Sequence, residues 1–395
     1  VKVLFLCFYF KPDLCAGSFR ATALISALAK KLSTGSSVDV ITTLPNRYAS
    51  FSENAAKDEQ QEGVSIHRVA LPAHKSGMLD QSKAFYFYSK EVLKYIESND
   101  YDVIYATSSR LMTASLGAYI ANKRSIPLYL DIRDIFVDTL SNVLSKKMSW
   151  FLLPVFSMIE KWTMNRATHI NLVSKGFESY FKSRYPKASL SFFSNGIDSE
   201  FISTDCSDEV SKGEEDKKVI LYAGNIGEGQ GLHKIIPELA DKLAEQVEIV
   251  VIGDGGRIQQ LQDSITEKHL ANVKLVDPVS RNELLKFYCK SDVLFLHLND
   301  YAAFEKVLPS KLFEYGALGK PILAGVSGYA AQFVHEELTN AEVFSPCSAE
   351  LAVKAFERLD LLTIERNEFV TKYARESLMN DMAQDMIDVW TSNPQ

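Results

Sequence analysis

The residues in this chain best placed to do chemistry lie in one segment, Leu308–Pro321 (LPSKLFEYGALGKP). Pro309 suits the first position of a helix, where its missing N–H costs nothing. The N–H groups of Ser310, Lys311 and Leu312 then have no intrahelical acceptor and sit at the positive end of the helix dipole. With the Lys311 ammonium they make a site for a diphosphate. Glu314 falls one turn beyond Ser310 on the same face. A carboxylate there accepts hydrogen bonds from vicinal hydroxyls, such as those of a ribose. A solvated helix carboxylate is the plainer alternative, disfavoured by the apolar residues around it.

Three glycine-bearing turns are candidates to approach the same ligand. Leu221–Gly231 (LYAGNIGEGQG) follows an apolar run and precedes a helical one, with glycines at 224, 227, 229 and 231. Backbone N–H groups so arranged cradle phosphate, and a loop with no ligand is the alternative. The loop Lys11–Ser18, with Gly17, Ser18 and then Arg20 in the first turn of a helix, offers N–H groups and a permanent charge; a glycine that merely permits a tight turn is equally consistent. Val250–Gly256 (VVIGDGG) is a strand ending in a glycine turn, weak by itself. None has the G-x-G-x-x-G spacing, so the dinucleotide fingerprint of a dehydrogenase is absent.

These turns need strands to carry them. Val3–Phe10 is a continuous apolar run, as in a strand buried on both faces of a parallel sheet. A helical period over Phe19–Leu32 follows, and strands and helices alternate as far as Leu190–Phe193. The rhythm breaks at Ser203–Lys217, which is polar and acidic and reads as an interdomain linker. It restarts at Val219–Ala223, Val247–Ile252, Val273–Val276, Val293–Leu296 and Pro321–Ala324. The fold predicted is α/β, two Rossmann-like doubly wound domains facing across a cleft. The N-terminal, acceptor-side domain takes 1–202 and the linker 203–217. The C-terminal nucleotide-sugar-binding domain takes 218–364, and a helical tail, 365–395, crosses back to the N-terminal domain.

Bulk properties exclude several other classes. No apolar stretch is long enough to span a bilayer, and the N-terminal run reads as neither a signal nor a transit peptide. The five cysteines are scattered without C-x-x-C pairs and the seven histidines without metal-ligand spacing, so a reduced, cytoplasmic, metal-free protein is expected. Residues 1–200 carry 24 Lys+Arg against 18 Asp+Glu, and residues 201–395 carry 19 against 32. A half at +6 joined to one at −13 suggests different partners for each, although drift in surface charge would do the same. No basic stripe with interleaved aromatics points to nucleic acid.

Taken in order, the motifs resemble those of GT-B-type retaining glycosyltransferases of family 4, especially the subgroup that makes bacterial surface polysaccharides (capsule or O-antigen). The resemblance spans nearly the whole chain. It rests on Tyr9–Pro12 with Gly17, Ser18 and Arg20, on Asp131–Asp134 (DIRD) and on Ser194–Asp198 (SNGID). In the second half it rests on Tyr222–Gly227 with Gln230–Leu232, on Gly253–Gly255, and on Pro309–Glu314 with Gly319–Pro321. The resemblance implies a UDP-sugar donor held by Gly17, Ser18, Arg20, Gly224, Asn225, Gly227, Ser310, Lys311 and Leu312. Glu314 is implied on the ribose, and the backbone of Pro278 and Val279 at the base. No cofactor and no metal are implied, since helix N-termini and basic groups neutralise the leaving diphosphate.

The chain departs from the family pattern at two places. Two glutamates separated by seven residues are usual; counting back from Glu314 that position is Lys306, with Glu305 one residue further. An Arg and a Lys usual after the first strand of the second domain are Asn225 and Gln230 here. Asp131, Arg133 and Asp134 close a strand where relatives often carry a His-Asp pair, and with Glu305 they are the catalytic candidates; a structural Asp–Arg pair is the alternative. Met148–Trp162, preceded by Lys146 and Lys147, suits a membrane surface as well as a core helix interrupted by Pro154.

The sequence therefore predicts transfer of a hexosyl or N-acetylhexosaminyl group from a UDP-sugar to a lipid-linked or oligosaccharide acceptor. The enzyme would be cytoplasmic, peripheral at the inner face of the cell membrane. A UDP-sugar epimerase and a non-catalytic sugar-nucleotide-binding subunit stay open.

Overall fold

A computed structural model describes residues 1–392 apart from 14, 46–54, 73–77, 109–110, 144–145 and 207–216. The chain divides into two compact units, one of residues 1–195 with 375–395 and one of residues 196–374.

Unit 1 contains β1 (Lys2–Leu6), α1 (Ala16–Lys31), β2 (Ser37–Thr43), β3 (Asp58–Gln61), β4 (Val64–Val69), α2 (Met78–Ile96) and β5 (Val103–Thr107). It continues with α3 (Leu111–Arg124), β6 (Leu128–Ile132), α4 (Phe136–Val143), α5 (Lys146–Arg166), β7 (His169–Leu172), α6 (Glu178–Arg184) and β8 (Leu190–Ser191). The strands form one sheet in the order β3-β4-β2-β1-β5-β6-β7-β8, parallel except for the β3–β4 hairpin. β1 lies inside the sheet, and Val3 to Leu6 are fully buried, which is why that stretch is apolar without alternation.

Unit 2 contains α7 (Ser199–Ile202), β9 (Lys218–Ala223), α8 (Leu232–Lys242), β10 (Val247–Ile252), α9 (Ile258–Glu267), β11 (Val273–Val276) and α10 (Arg281–Lys290). Then come β12 (Val293–His297), α11 (Lys311–Ala317), β13 (Ile322–Gly325), α12 (Gly328–Glu337), β14 (Ala341–Phe344), α13 (Ala349–Phe356) and α14 (Asn367–Tyr373). Its six strands are all parallel, in the order β11-β10-β9-β12-β13-β14. The last helix, α15 (Arg375–Ser392), belongs to unit 1, where Met379, Met382, Met386 and Trp390 join the core formed by Leu24, Leu28, Phe5 and Tyr105.

Two expectations need correction. α1 starts at Ala16, with Cys15 at the cap position and no side-chain cap bond, so Gly17 and Ser18 are helical and not part of a loop. Cys206 and Cys289 are joined by a disulfide, where free thiols were expected; folding brings them together across 83 residues, a proximity that spacing alone does not reveal. The same corner is tied by ion pairs from Arg281 to Asp198 and Glu200 and by a parallel bridge between Ile197 and Ala374. Those contacts hold residues 196–206 on unit 2. The rest of the acidic linker segment, up to residue 216, lies outside the described residues.

At the carboxyl edge of the second sheet, the turns after β9 and β10 interlock through backbone atoms. Gly224 N–H donates to the carbonyl of Ile252 (2.8 Å), Gly253 N–H to that of Val276 (3.0 Å), and Ile226 N–H to that of Asp254 (2.9 Å). Gly224 and Gly253 have φ of +143° and +144°. A Cβ on Gly253 would stand 1.9 Å from the Gly224 carbonyl oxygen, so only glycine allows the approach.

Opposite that edge, the far end of α11 is fixed by Arg366. Its guanidinium is buried, has no carboxylate partner among the described residues, and donates to the carbonyls of Tyr315, Gly316, Lys320, Thr339 and Asn340. Burial pushes its pKa down to about 10, and the cation caps the negative end of the helix.

Candidate functional site

Unit 2 gathers most of the predicted donor ligands. Lys311 leads α11, and its ammonium lies against the glycine turn: a Cβ on Gly224 would be 2.3 Å from Lys311 Nζ. The same ammonium is 5.3 Å from the ring centre of Tyr222, within range of a cation–π contact. Burial lowers the Lys311 pKa and the charge of Glu314 opposes that shift. Glu314 is half-buried, so cation and carboxylate sit one turn apart on one short helix. Tyr222 Oη donates to the carbonyl of Asn225 (2.7 Å), which holds the turn over the ring.

The positions that lack the usual cations are occupied by an amide pair. Asn225 Nδ2 donates to Gln230 Oε1 at 2.7 Å, bridging the turn across Gly227, where a Cβ would come within 2.5 Å of Asn225 Nδ2. Those two positions thus hold no cation, and Lys311 supplies one beside the turn. The helix-dipole expectation is narrower in fact. Leu312 N–H is already taken by the carbonyl of Pro309 (3.2 Å) and its side chain is fully buried, so Leu312 is a core residue and not a phosphate ligand. Ser310 stands at the N-cap position with helical dihedrals and makes no side-chain cap bond. Pro278, exposed, and Val279, half-buried, follow β11 at the same edge of the sheet, just ahead of the Ser280–Glu283 capping box that starts α10.

Glu305 is exposed on a single 3₁₀ turn, Ala302–Lys306. Its backbone is seated on Gly328, where a Cβ would be 2.2 Å from the Glu305 carbonyl oxygen.

Two groups that the sequence reading passed over hold this edge in place. Glu228, directly after Gly227, accepts from Tyr301 Oη (2.6 Å) and Arg257 Nε (2.6 Å); the tyrosine bond first, and then the arginine charge, lower its pKa. His297 is fully buried at the end of β12. Its Nδ1–H donates to the Gln230 carbonyl (2.6 Å) and its Nε2 accepts from the Cys347 N–H (2.8 Å), a pairing that requires the neutral ring. Burial pushes its pKa down to about 4, against the Gln230 bond. The only sequence signal for His297 was a polar residue ending an apolar strand, and Glu228 had none beyond its place in the glycine turn.

In unit 1 the predicted residues are committed to one another. Arg20 is buried and forms a two-pronged pair with Asp131, Nε to Oδ2 at 2.8 Å and Nη2 to Oδ1 at 3.0 Å. Asp131 also accepts from Tyr105 Oη (2.9 Å) and Asn171 Nδ2 (2.7 Å), and Arg20 Nη1 donates to the Ser194 carbonyl (2.5 Å). Burial alone would raise the Asp131 pKa, and Arg20 more than reverses it. Arg20 as a donor-phosphate ligand and Asp131 as a catalytic group are therefore corrected to a buried structural pair. Gly17 and Ser18, in the first turn of α1, offer backbone N–H groups; the Ser18 side chain is buried.

Arg133 and Asp134 follow β6 and are less fully used. Arg133 N–H donates to Ser108 Oγ (2.9 Å) and Arg133 Nη2 to Asn195 Oδ1 (3.0 Å). Arg133 Nη1 and Asp134 Oδ1 are buried with no hydrogen-bond partner. Burial raises the Asp134 carboxyl to about 7, with Arg133 opposing and Glu160 reinforcing the shift. A carboxyl in that range exchanges protons near neutrality, and of the acidic candidates in unit 1 it is the one suited to acid–base work. Among the described residues no group of His, Cys, Asp or Glu could hold a metal ion.

Comparison with known proteins finds matches over both units. Residues 18–196 match the family model described as glycosyl transferase 4-like domain, and residues 205–377 match glycosyl transferases group 1. The putative colanic acid biosynthesis glycosyl transferase WcaI of Escherichia coli K12 is 31% identical over 167 residues, 42% of this chain and 40% of that protein. The chain thus spans less than half the length of that curated relative. Among solved structures, sucrose-phosphate synthase from Thermosynechococcus elongatus covers 99% of this chain and 100% of its own at 15% identity, with a TM-score of 0.76. Anabaena HepE, solved with UDP and with UDP-glucose, covers 98% of this chain and 100% and 99% of its own at 16% identity, with a TM-score of 0.66 in each. These structural likenesses establish the fold.

Two measurements check the site. Asp131→Asn leaves a buried guanidinium uncompensated, and the expected cost is about 3–5 kcal/mol in urea unfolding; an unchanged midpoint with lost activity would instead place Asp131 among reacting groups. The folded His297 pKa lies below the ordinary 6.5, so its contribution to stability is complete above pH 6.5 and lost as pH falls from there toward 4. The loss is about 3 kcal/mol. His297→Asn should be less stable at pH 7.5 and show a shallower acid slope; an identical slope would remove the neutral-ring assignment.

Proposed function

The chain belongs to the GT-B glycosyltransferases of the family 4 type, and from that premise we propose that it moves a hexosyl or N-acetylhexosaminyl group from a UDP-sugar to a lipid-linked saccharide, with retention, in bacterial polysaccharide synthesis. The observation that carries the donor assignment is the placement of Lys311 and Glu314 one turn apart on α11, with the Lys311 ammonium against the Gly224 turn. A diphosphate beside Lys311 and a ribose on Glu314 would use the one cation and the one carboxylate of this helix. HepE binding UDP and UDP-glucose on the same fold supports the choice of nucleotide.

In the proposed reaction the bond between the sugar C1 and the β-phosphate oxygen breaks, and a bond from C1 to an acceptor hydroxyl oxygen forms on the same face. The hydroxyl proton passes to the departing phosphate. Charge grows on the leaving diphosphate, where Lys311 and turn N–H groups act most strongly in the transition state. On the acceptor side, Asp134 and Arg133 are assigned to bind and orient the hydroxyl-bearing sugar. No metal or cofactor enters the proposal, and the enzyme works at the inner face of the cell membrane, where such acceptors are held. An epimerase differs in converting its donor without releasing UDP.

Glu314→Ala should weaken UDP binding about tenfold in calorimetry, an amount typical of hydrogen bonds to a charged group. It should also abolish the preference for UDP over 2′-deoxy-UDP. Full retention of that preference would contradict the ribose role.

A further inference from the structure

Helix α5 is buried along one face and carries exposed apolar side chains on another. Glu160, Thr163 and Met164 are buried against unit 1, and Thr163 Oγ1 lies 2.9 Å from Ser115 Oγ of α3. The other face carries Trp150, Phe151, Val155, Met158 and Trp162, exposed to 72%, 68%, 48%, 67% and 43%. Phe151, Val155, Met158 and Trp162 are spaced by three, four or seven residues, which puts them in one stripe, about 17 Å long at the helical rise, and Trp150 precedes it by one residue. Tyr119 on the neighbouring α3 adds another exposed ring. A continuous apolar stripe of this kind marks a contact surface. No helix among the described residues is long and apolar enough to cross a membrane, so the stripe is not part of a span.

We propose that this face of α5 lies in the headgroup region of a bilayer containing anionic lipid, which deepens and rests on the reading that the acceptor is lipid-linked. Tryptophan, phenylalanine and methionine are suited to the boundary between headgroups and acyl chains. The charges select the occupant. Lys161 is exposed beside the stripe, the helix begins with Lys146 and Lys147, and its one acid, Glu160, is buried and accepts from Tyr180 and Tyr185. The helix therefore presents an exposed cation at Lys161, carries two further lysines in its sequence and, among the described residues, has no exposed acid. Anionic headgroups complement that charge, whereas a second copy of the chain packed through the same face would set like charges together.

The test is flotation of the full chain with vesicles of phosphatidylethanolamine and phosphatidylglycerol, and in parallel with phosphatidylcholine alone. The chain should float with the anionic vesicles and much less with the neutral ones. A Trp150→Ser, Phe151→Ser, Met158→Ser variant should lose at least about tenfold in partitioning while binding UDP as before, because these side chains already face solvent. Lys161→Glu should lose about fivefold or more. Equal partitioning of the parent and the triple variant overturns the proposal. So does absence of vesicle binding together with a concentration-dependent dimer that the triple variant abolishes. If the parent chain binds UDP but neither kind of vesicle, the docking surface alone is overturned, and absence of UDP binding by the parent removes the transferase reading instead.

Discussion

The turns after β9 and β10 touch backbone to backbone, and the chemistry available at that edge of unit 2 follows from the contact. Gly253 leaves room for the Gly224 carbonyl, and Gly224 leaves room for the Lys311 ammonium. Any side chain at either position would push the turn outward and part it from α11. Glu228, Tyr301, Arg257 and His297 then fix the remainder of the loop by hydrogen bonds to groups whose protonation is settled at neutral pH. The geometry is set before a ligand arrives, and so ordering it adds little cost to binding.

Charge is distributed by the same economy. Several cations are spent inside the protein: Arg20, which the sequence offered as a phosphate ligand, on Asp131, Arg366 on five carbonyls, and Arg281 on Asp198 and Glu200. The glycine turn holds a neutral amide pair, Asn225–Gln230. Lys311 is different. Burial lowers its pKa and Glu314 opposes the shift, so a bound diphosphate would add a further anion beside it.

Much of this was legible from residue pattern. Continuous apolar runs such as Val3–Phe10 identified central parallel strands, and glycines after Val219–Ala223 and Val247–Ile252 located the turns, because strand burial and positive φ leave direct marks on composition. The pairing of Arg20 with Asp131 was not legible. Those residues are 111 positions apart, and a pattern names a charged residue without naming its partner. The start of α1 was missed because Cys15 stands where a capping Ser, Thr, Asp or Asn would announce a helix. The Leu312 N–H was miscounted because a turn bond to Pro309 precedes the regular helix, and no residue type signals that bond. Cys206 and Cys289 look unrelated until α10 is laid against the segment that carries α7.

The central claim is that unit 2 holds UDP on the Gly224 turn and the start of α11. Amide hydrogen exchange of the full chain with and without millimolar UDP tests it most directly. The account predicts added protection in peptides covering 224–231 and 308–314. No protection anywhere, or protection confined to unit 1, would contradict it.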